Sequence, residues 1–166
     1  YFEHVSNILM LSNLTALDAM EKKARTFGYN AYIFDDRLQG DAHELGKKLI
    51  HATQKGEILL AGGETTVKVK GTGKGGRNQT VVLSALAEIS GNTVMASFGT
   101  DGWDFYGFAG AIGDKDTQKK ITDKHLDGRE FLDNDNSYAF WQETGDGINT
   151  GKLASNVADL FIVFKK

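Results

Sequence analysis

Residues 57–79 read Glu57-Ile-Leu-Leu-Ala-Gly-Gly-Glu-Thr-Thr-Val-Lys-Val-Lys-Gly-Thr-Gly-Lys-Gly-Gly-Arg-Asn-Gln79. After Glu57, Ile58–Ala61 form an unbroken apolar run ending at paired glycines, which predicts a buried strand. Thr65–Lys70 then alternates apolar and polar residues, the pattern of a half-exposed strand. Four glycines between Gly71 and Gly76 lead directly into a helical pattern over Arg77–Ser90. Val81, Val82, Ala85, Leu86 and Ile89 share the apolar side of that helix. Strand, glycine loop and helix in this order belong to an α/β arrangement.

The flanking sequence agrees. Upstream, Leu14–Phe27 carries a helical stripe (Leu14, Leu17, Ala24, Phe27), with Asn13 or Thr15 as the cap and Gly28 as the stop. Asn30–Phe34 reads as a short strand, and Asp41–Thr53 as a helix. Helix, strand, helix, strand favours a parallel sheet with crossover helices. Downstream, Thr93–Phe98 is a strand ending in Gly99-Thr-Asp-Gly102. Asp116–His125 and Asn136–Thr144 are short helices, and Leu160–Phe164 is a central strand. The change in alternation near Glu57 suggests a domain boundary there.

Composition narrows the function classes. The 166 residues include no Cys, no Pro and 20 Gly, and 19 basic against 22 acidic side chains give a formal net charge of −3. Without Cys there is no disulfide framework, zinc–thiolate site or thiol nucleophile. The balanced charge argues against a polybasic nucleic-acid or membrane-surface protein. No apolar run approaches the ~18 residues of a membrane span, and a cytoplasmic location is permitted. Tyr1 follows no initiator Met or signal-like stretch and reads as an internal residue of a longer chain.

Between Thr65 and Thr80 there are four cationic side chains (Lys68, Lys70, Lys74, Arg77) and no acidic one. Glycines permit close backbone approach, and a helix N-terminus offers unpaired N–H groups to an anion. Gly73, Lys74, Gly75 and Gly76 are therefore candidate phosphate contacts. Arg77 is suited to a two-pronged grip on an anion and Lys74 to a mobile point charge. The run is neither a Walker A loop nor a dinucleotide fingerprint. Asp101 and Asp104, three residues apart on a turn at a strand end, are candidate Mg²⁺ ligands. Leu132-Asp-Asn-Asp-Asn-Ser-Tyr138 reads as a capping segment, with Asp135 or Asn136 as the cap. It lacks the glycine and terminal glutamate of a calcium loop. The four histidines have no ligand spacing, no nucleophile elbow is present, and Phe131, Tyr138, Phe140 and Trp141 read as core.

These motifs together resemble the glycerate 2-kinase family, and more narrowly its C-terminal MOFRL module. Gly-Gly-Glu-Thr-Thr-Val with Gly-Gly-Arg-Asn-Gln79 is similar to the family signature. Gly99-Thr-Asp-Gly102, Ala109-Gly-Ala111, Asn134–Tyr138, and Thr150-Gly151 with Asn156-Val-Ala-Asp159 follow in the family's order. Two loops depart from it. Phe105-Tyr-Gly-Phe108 stands where the family has a Pro-Thr-Asp stretch, and Gly151–Asn156 replaces Gly-Pro-Thr-Gly-Thr-Asn. The resemblance implies an α/β fold: a three-layer-type module with a mixed sheet, residues 57–166, after a partial Rossmann-like βα segment, residues 1–56. That segment would be the end of a larger N-terminal domain, which carries the family's catalytic lysine upstream of this chain.

The implied activity is transfer of the γ-phosphoryl of ATP to the 2-hydroxyl of D-glycerate, with Mg²⁺. The implied partners are these small molecules and the N-terminal domain, with a homodimer possible and no nucleic acid or membrane. Arg77 would stabilise the transferring group or clamp the substrate carboxylate. Asp101 would hold Mg²⁺ or orient the hydroxyl, with Asp104 as a second metal ligand. Lys74 and the loop amides would hold phosphate. Thr65, Thr66, Asn78 and Asn156 join the binding set, and Glu64 would brace the glycine loop as a buried carboxylate facing N–H groups. The alternatives are a non-catalytic phosphate- or nucleotide-binding module and a hydroxypyruvate reductase.

Overall fold

A computed structural model describes residues 4–6, 8 and 10–166, so Tyr1 lies outside the described residues. Its centre is a six-stranded mixed sheet. In chain order the elements are α1 (Asn13–Thr26), β1 (Asn30–Leu38), α2 (Ala42–Ala52), β2 (Glu57–Gly63) and α3 (Arg77–Ala85), followed by a 3₁₀ turn at Leu86–Glu88. Then come β3 (Thr93–Gly99), β4 (Gly110–Gly113), α4 (Lys115–Asp123), α5 (Gly128–Asp133), α6 (Ser137–Thr144), β5 (Gly147–Ile148) and β6 (Asp159–Lys165). The strand order is β1-β2-β6-β3-β4-β5. Among the described strands only β1 and β2 run parallel, as their crossover helix α2 requires. The pairs from β2 to β5 are antiparallel.

β6 takes the centre because its residues are apolar on both faces, the pattern of a strand covered on each side. Along β2, Leu59 and Ala61 point to one face and Leu60 to the other. The Leu59 face packs with α2, α3 and α6 through Leu45, Leu49, Val81, Val82, Phe140 and Trp141. The Leu60 face packs with Leu17 of α1 and Leu160 of β6. The result is three layers, α1, the sheet, and the remaining helices. The sheet and the larger core run through residues 56 and 57 without a break.

Several sequence expectations need correction. Thr65–Lys70 is not a strand; among the described residues one isolated bridge, Asp41 to Thr66, is its only ladder contact. The chain has left the sheet beyond the end of β2, and Val69 is exposed. The cap of α1 is Ser12, whose hydroxyl accepts from Thr15 N at 3.3 Å, rather than Asn13 or Thr15. The short elements β4, α5 and β5 lie in regions to which the sequence pattern assigned no element.

Antiparallel register aligns the ends of three strands. Gly63 of β2 and Gly99 of β3 both pair with Asp159 at the start of β6. Glu64, Thr65 and Thr100–Asp101 therefore emerge beside one another at one end of the sheet.

Candidate functional site

Arg77 is the first residue of α3, and helix geometry sends its side chain toward that end of the sheet. Its Nε donates to Asp159 Oδ2 at 2.6 Å and its Nη2 to Asp159 Oδ1 at 3.2 Å. Nη1 pairs with Glu64 Oε1 at 2.7 Å. The Asp159 side chain is 2% exposed and that of Arg77 36% exposed, so the guanidinium is anchored from below and open above. Burial disfavours the Arg77 cation, but the two carboxylates outweigh this and raise its pKa. Burial also raises the Asp159 carboxyl above its ordinary value, and the Arg77 hydrogen bonds offset only part of that. Three of the five guanidinium N–H groups are engaged; the others remain for an anion. Glu64 thus pairs with Arg77 and is 64% exposed. It does not brace the glycine loop, because it lies on the solvent side of the guanidinium.

The loop is braced by the segment read as a capping turn. Asp135 Oδ2 accepts from Lys70 N at 2.6 Å and Gly71 N at 2.7 Å. Asn134 accepts from Thr72 N through Oδ1 at 3.1 Å and from Gly73 N through its carbonyl at 2.9 Å. Asn136 Oδ1 accepts from Lys74 N at 3.2 Å, so it caps the loop and not its own helix α6. His43 of α2 reaches Asp135 at 3.5 Å. A Cβ on Gly71 would collide with the Asn134 backbone, and one on Gly75 with the Ser137 hydroxyl. These glycines are needed for contact with protein, and the amides of residues 70–74 are engaged without a ligand.

A second protein anion occupies part of the α3 N-terminus. Asp104 is 3% exposed. Its Oδ1 accepts from Asn78 N (3.0 Å) and Asn78 Nδ2 (3.2 Å), and its Oδ2 from Gln79 N (2.9 Å) and Gln79 Nε2 (3.2 Å). A carboxylate at the second and third N–H groups of a helix is a favourable cap. Burial raises its pKa, while these four donors favour the ionised form. With two donors on each oxygen, Asp104 has no free lone pair for a metal, so it does not fit a Mg²⁺ site. Asn78 is likewise fully buried, with Oδ1 accepting from Ser97 Oγ at 2.5 Å, and is not a ligand contact. Among the described residues no three His, Cys, Asp or Glu side chains are arranged to hold a metal ion.

What remains open forms a cavity of about 710 Å³. Thr65, Thr66, Gly73, Lys74, Gly75, Gly76, Arg77 and Asp101 line it, with Trp103, Phe105 and Tyr106 on its rim. Thr65 Oγ1 is buried and has no protein partner among the described residues. Lys74 Nζ stands 3.3 Å from the Tyr106 hydroxyl. Among the described residues the N–H groups of Gly75, Gly76 and Arg77 have no protein acceptor. Asp101 Oδ1 closes a turn onto Trp103 N at 3.0 Å, and Oδ2 accepts from Asn156 Nδ2 at 3.4 Å. Asn156 therefore reaches the site through Asp101 without lining the cavity. The contributions of Asn134, Asp135, Asn136 and Gln79 were not anticipated. The cue was available: acid–amide residues free of apolar periodicity, in a chain whose glycine loop needs acceptors.

Comparison with known proteins gives this geometry a context. Over 96% of its length the chain is 34% identical to the glycerate 2-kinase of Pyrococcus horikoshii, covering 39% of that protein. It is also 34% identical, over 96% of its length, to the D-glycerate 2-kinase of Thermotoga maritima, covering 42% of that one. The solved glycerate kinase of Thermotoga maritima aligns with a TM-score of 0.91 at 33% identity, covering 99% of this chain and 44% of that chain. A solved protein of Pyrococcus horikoshii gives the same score and identity, with 99% and 41% covered. The chain spans about two fifths of the length of the curated relatives it matches. Residues 57–159 match the MOFRL family, and the chain belongs to that family.

Proposed function

We propose that this chain is part of a glycerate 2-kinase, which moves the γ-phosphoryl of ATP to the 2-hydroxyl of D-glycerate in the cytoplasm. The hydroxyl oxygen bonds to the γ-phosphorus, the bond to the β–γ bridging oxygen breaks, and ADP and the hydroxyl proton leave. The observation that carries this reading is Arg77, fixed by Asp159 and Glu64 with two N–H groups open to a cavity. Phosphoryl transfer needs positioned positive charge more than covalent chemistry. The relatives named glycerate 2-kinase support the choice of acceptor.

In this reading Arg77 takes charge on the transferring phosphoryl group, and Lys74 and the amides of Gly75 and Gly76 hold the neighbouring phosphates. Asp101 and the unpartnered Thr65 hydroxyl orient the acceptor. Bound Mg²⁺ would neutralise phosphate charge, and Asp101 is the one carboxylate of the expected pair with capacity to meet it. The rest of the longer protein supplies the opposite wall of the cleft.

The test is 2-phosphoglycerate formation by the full-length protein from glycerate, ATP and Mg²⁺. Arg77→Ala is expected to lower kcat by roughly a thousandfold, the scale of a transition-state arginine. No product from the wild type, or undiminished product from the variant, contradicts the assignment.

A further inference from the structure

The loop from Trp103 to Phe108 has no part in the transfer just described, yet it is built at a cost. Tyr106 N donates to Asp104 O at 2.6 Å and Phe108 N to Tyr106 O at 2.9 Å. Each bond closes a three-residue turn, and the central residues, Phe105 and Gly107, have φ of +59° and +76°. Turns of this kind with positive φ are rare and strained. Glycine accepts such a φ readily, whereas a bulky side chain does not. Phe105 nevertheless holds the first position and is 81% exposed, so burial does not compensate for the strain. Trp103 stands beside it on the rim, 45% exposed.

The loop is held firmly. Gln79, wholly buried, donates through Nε2 to Asp104 O at 3.3 Å and to Tyr106 O at 2.9 Å. Tyr106 packs edge-on against Tyr138, with ring centroids 4.8 Å apart. Cations adjoin the rim: Lys74 Nζ lies 4.9 Å from the Tyr106 ring centre and Lys152 Nζ 5.0 Å from that of Trp103. Two exposed rings on the rim of a cavity that contains Lys74 and Arg77 suit a ligand with a planar ring at one end and phosphates at the other. The cavity volume falls in the usual range for a small molecule. A net charge of −3 disfavours a nucleic-acid strand.

We infer that Trp103 and Phe105 form a stacking platform for the base of the donor nucleotide, whose phosphates run to Lys74 and Arg77. This rests on the kinase reading above, and it assigns a role to a loop in which this chain departs from the family pattern.

The experiment titrates the full-length protein with ATP and, separately, with inorganic tripolyphosphate, following tryptophan emission and binding heat. Trp141 is wholly buried, and Trp103→Phe serves as the spectral reference for the exposed indole. ATP is expected to quench emission in the wild type and not the same component in Trp103→Phe; tripolyphosphate is expected to bind without quenching. Phe105→Gly removes the ring at a φ that glycine favours, so the melting temperature is expected not to fall. Its Kd for ATP should rise by about tenfold, with tripolyphosphate unaffected.

ATP binding no tighter than tripolyphosphate, or equal losses for both in Phe105→Gly, overturns the platform and leaves the kinase reading standing. Failure of ATP and tripolyphosphate alike to bind overturns both. If Phe105→Gly converts a dimer to a monomer at unchanged ATP affinity, the rim is a contact between copies, and the platform is likewise overturned.

Discussion

The glycine loop at residues 70–76 and the aromatic loop at 103–108 line one cavity but are braced differently, the first by acceptors of residues 134–136 and the second by the Gln79 amide. The glycine loop surrenders its N–H groups, five of them to Asn134, Asp135 and Asn136. The aromatic loop surrenders carbonyls, two of them to the Gln79 amide. In one loop glycines let backbone meet backbone, and in the other a bulky residue takes a conformation suited to glycine. The first loop is therefore scaffold along most of its length. Ligand-facing positive charge is confined to Lys74, Arg77 and the last two glycines.

Three changes break or sharpen this contrast. The largest effect is expected at Asp104, which joins the loops by belonging to one and capping the helix that follows the other. Asp104→Ala strands three buried N–H donors of Asn78 and Gln79, while Gln79 Nε2 keeps the carbonyls of residues 104 and 106. A loss of about 3–5 kcal/mol is expected in urea denaturation, against 1–3 for one stranded group. Asp135→Ala affects the glycine loop and the His43 contact but leaves the cap of α3 in place. It frees two amides at a partly exposed position, so about 1–2 kcal/mol is expected. Hydrogen exchange should accelerate at Lys70 and Gly71 while the amides of Asn78 and Gln79 stay protected.

The smallest effect is in pH dependence, where two regions have opposite signs. Asp104 and Asp159 have folded pKa values raised by burial above 3.8, so the folded chain binds protons that the unfolded chain has released. Their contribution is most favourable below about pH 4 and declines as pH rises through the folded values. Asp41 caps α2, and its hydrogen bond from His43 N lowers its pKa below 3.8. Its contribution is present above that value and lost as pH falls through the folded one. In thermal melts from pH 7 to pH 3, the gap between wild type and Asp41→Ala should narrow on acidification. The gap between wild type and Asp104→Ala should widen.

The sheet was legible where apolar runs were long. Leu160–Phe164 could only be a covered strand, and Glu57–Ala61 stopped at paired glycines. The alternation of Thr65–Lys70 misled because a strand also needs a free neighbour, and this segment leaves the sheet after β2. The strand Gly110–Gly113 is too short to show a period and exists because β3 offers it an edge. Among the residues that line the cavity, Arg77 and Lys74 were legible from residue type beside a glycine loop, Asp101 from an acid on a strand-end turn, and Thr65 only from the family resemblance. Asp104 was misassigned because only tertiary structure brings Asn78 and Gln79 onto both its oxygens. The acid–amide run at 134–136 was noticed but given a local task, since its acceptors serve a loop more than sixty residues away.

The central claim is that the α3 N-terminus meets phosphate only through Gly75, Gly76, Arg77 and the Lys74 side chain, with residues 70–74 as scaffold. Amide nitrogen–proton NMR spectra of the full-length protein, titrated with ATP and Mg²⁺, test it directly. The Gly75, Gly76 and Arg77 amides are expected to shift with saturation while those of Lys70 to Lys74 keep their positions. Shifts largest at Lys70 to Gly73, with release of their bonds to Asn134 and Asp135, would contradict it.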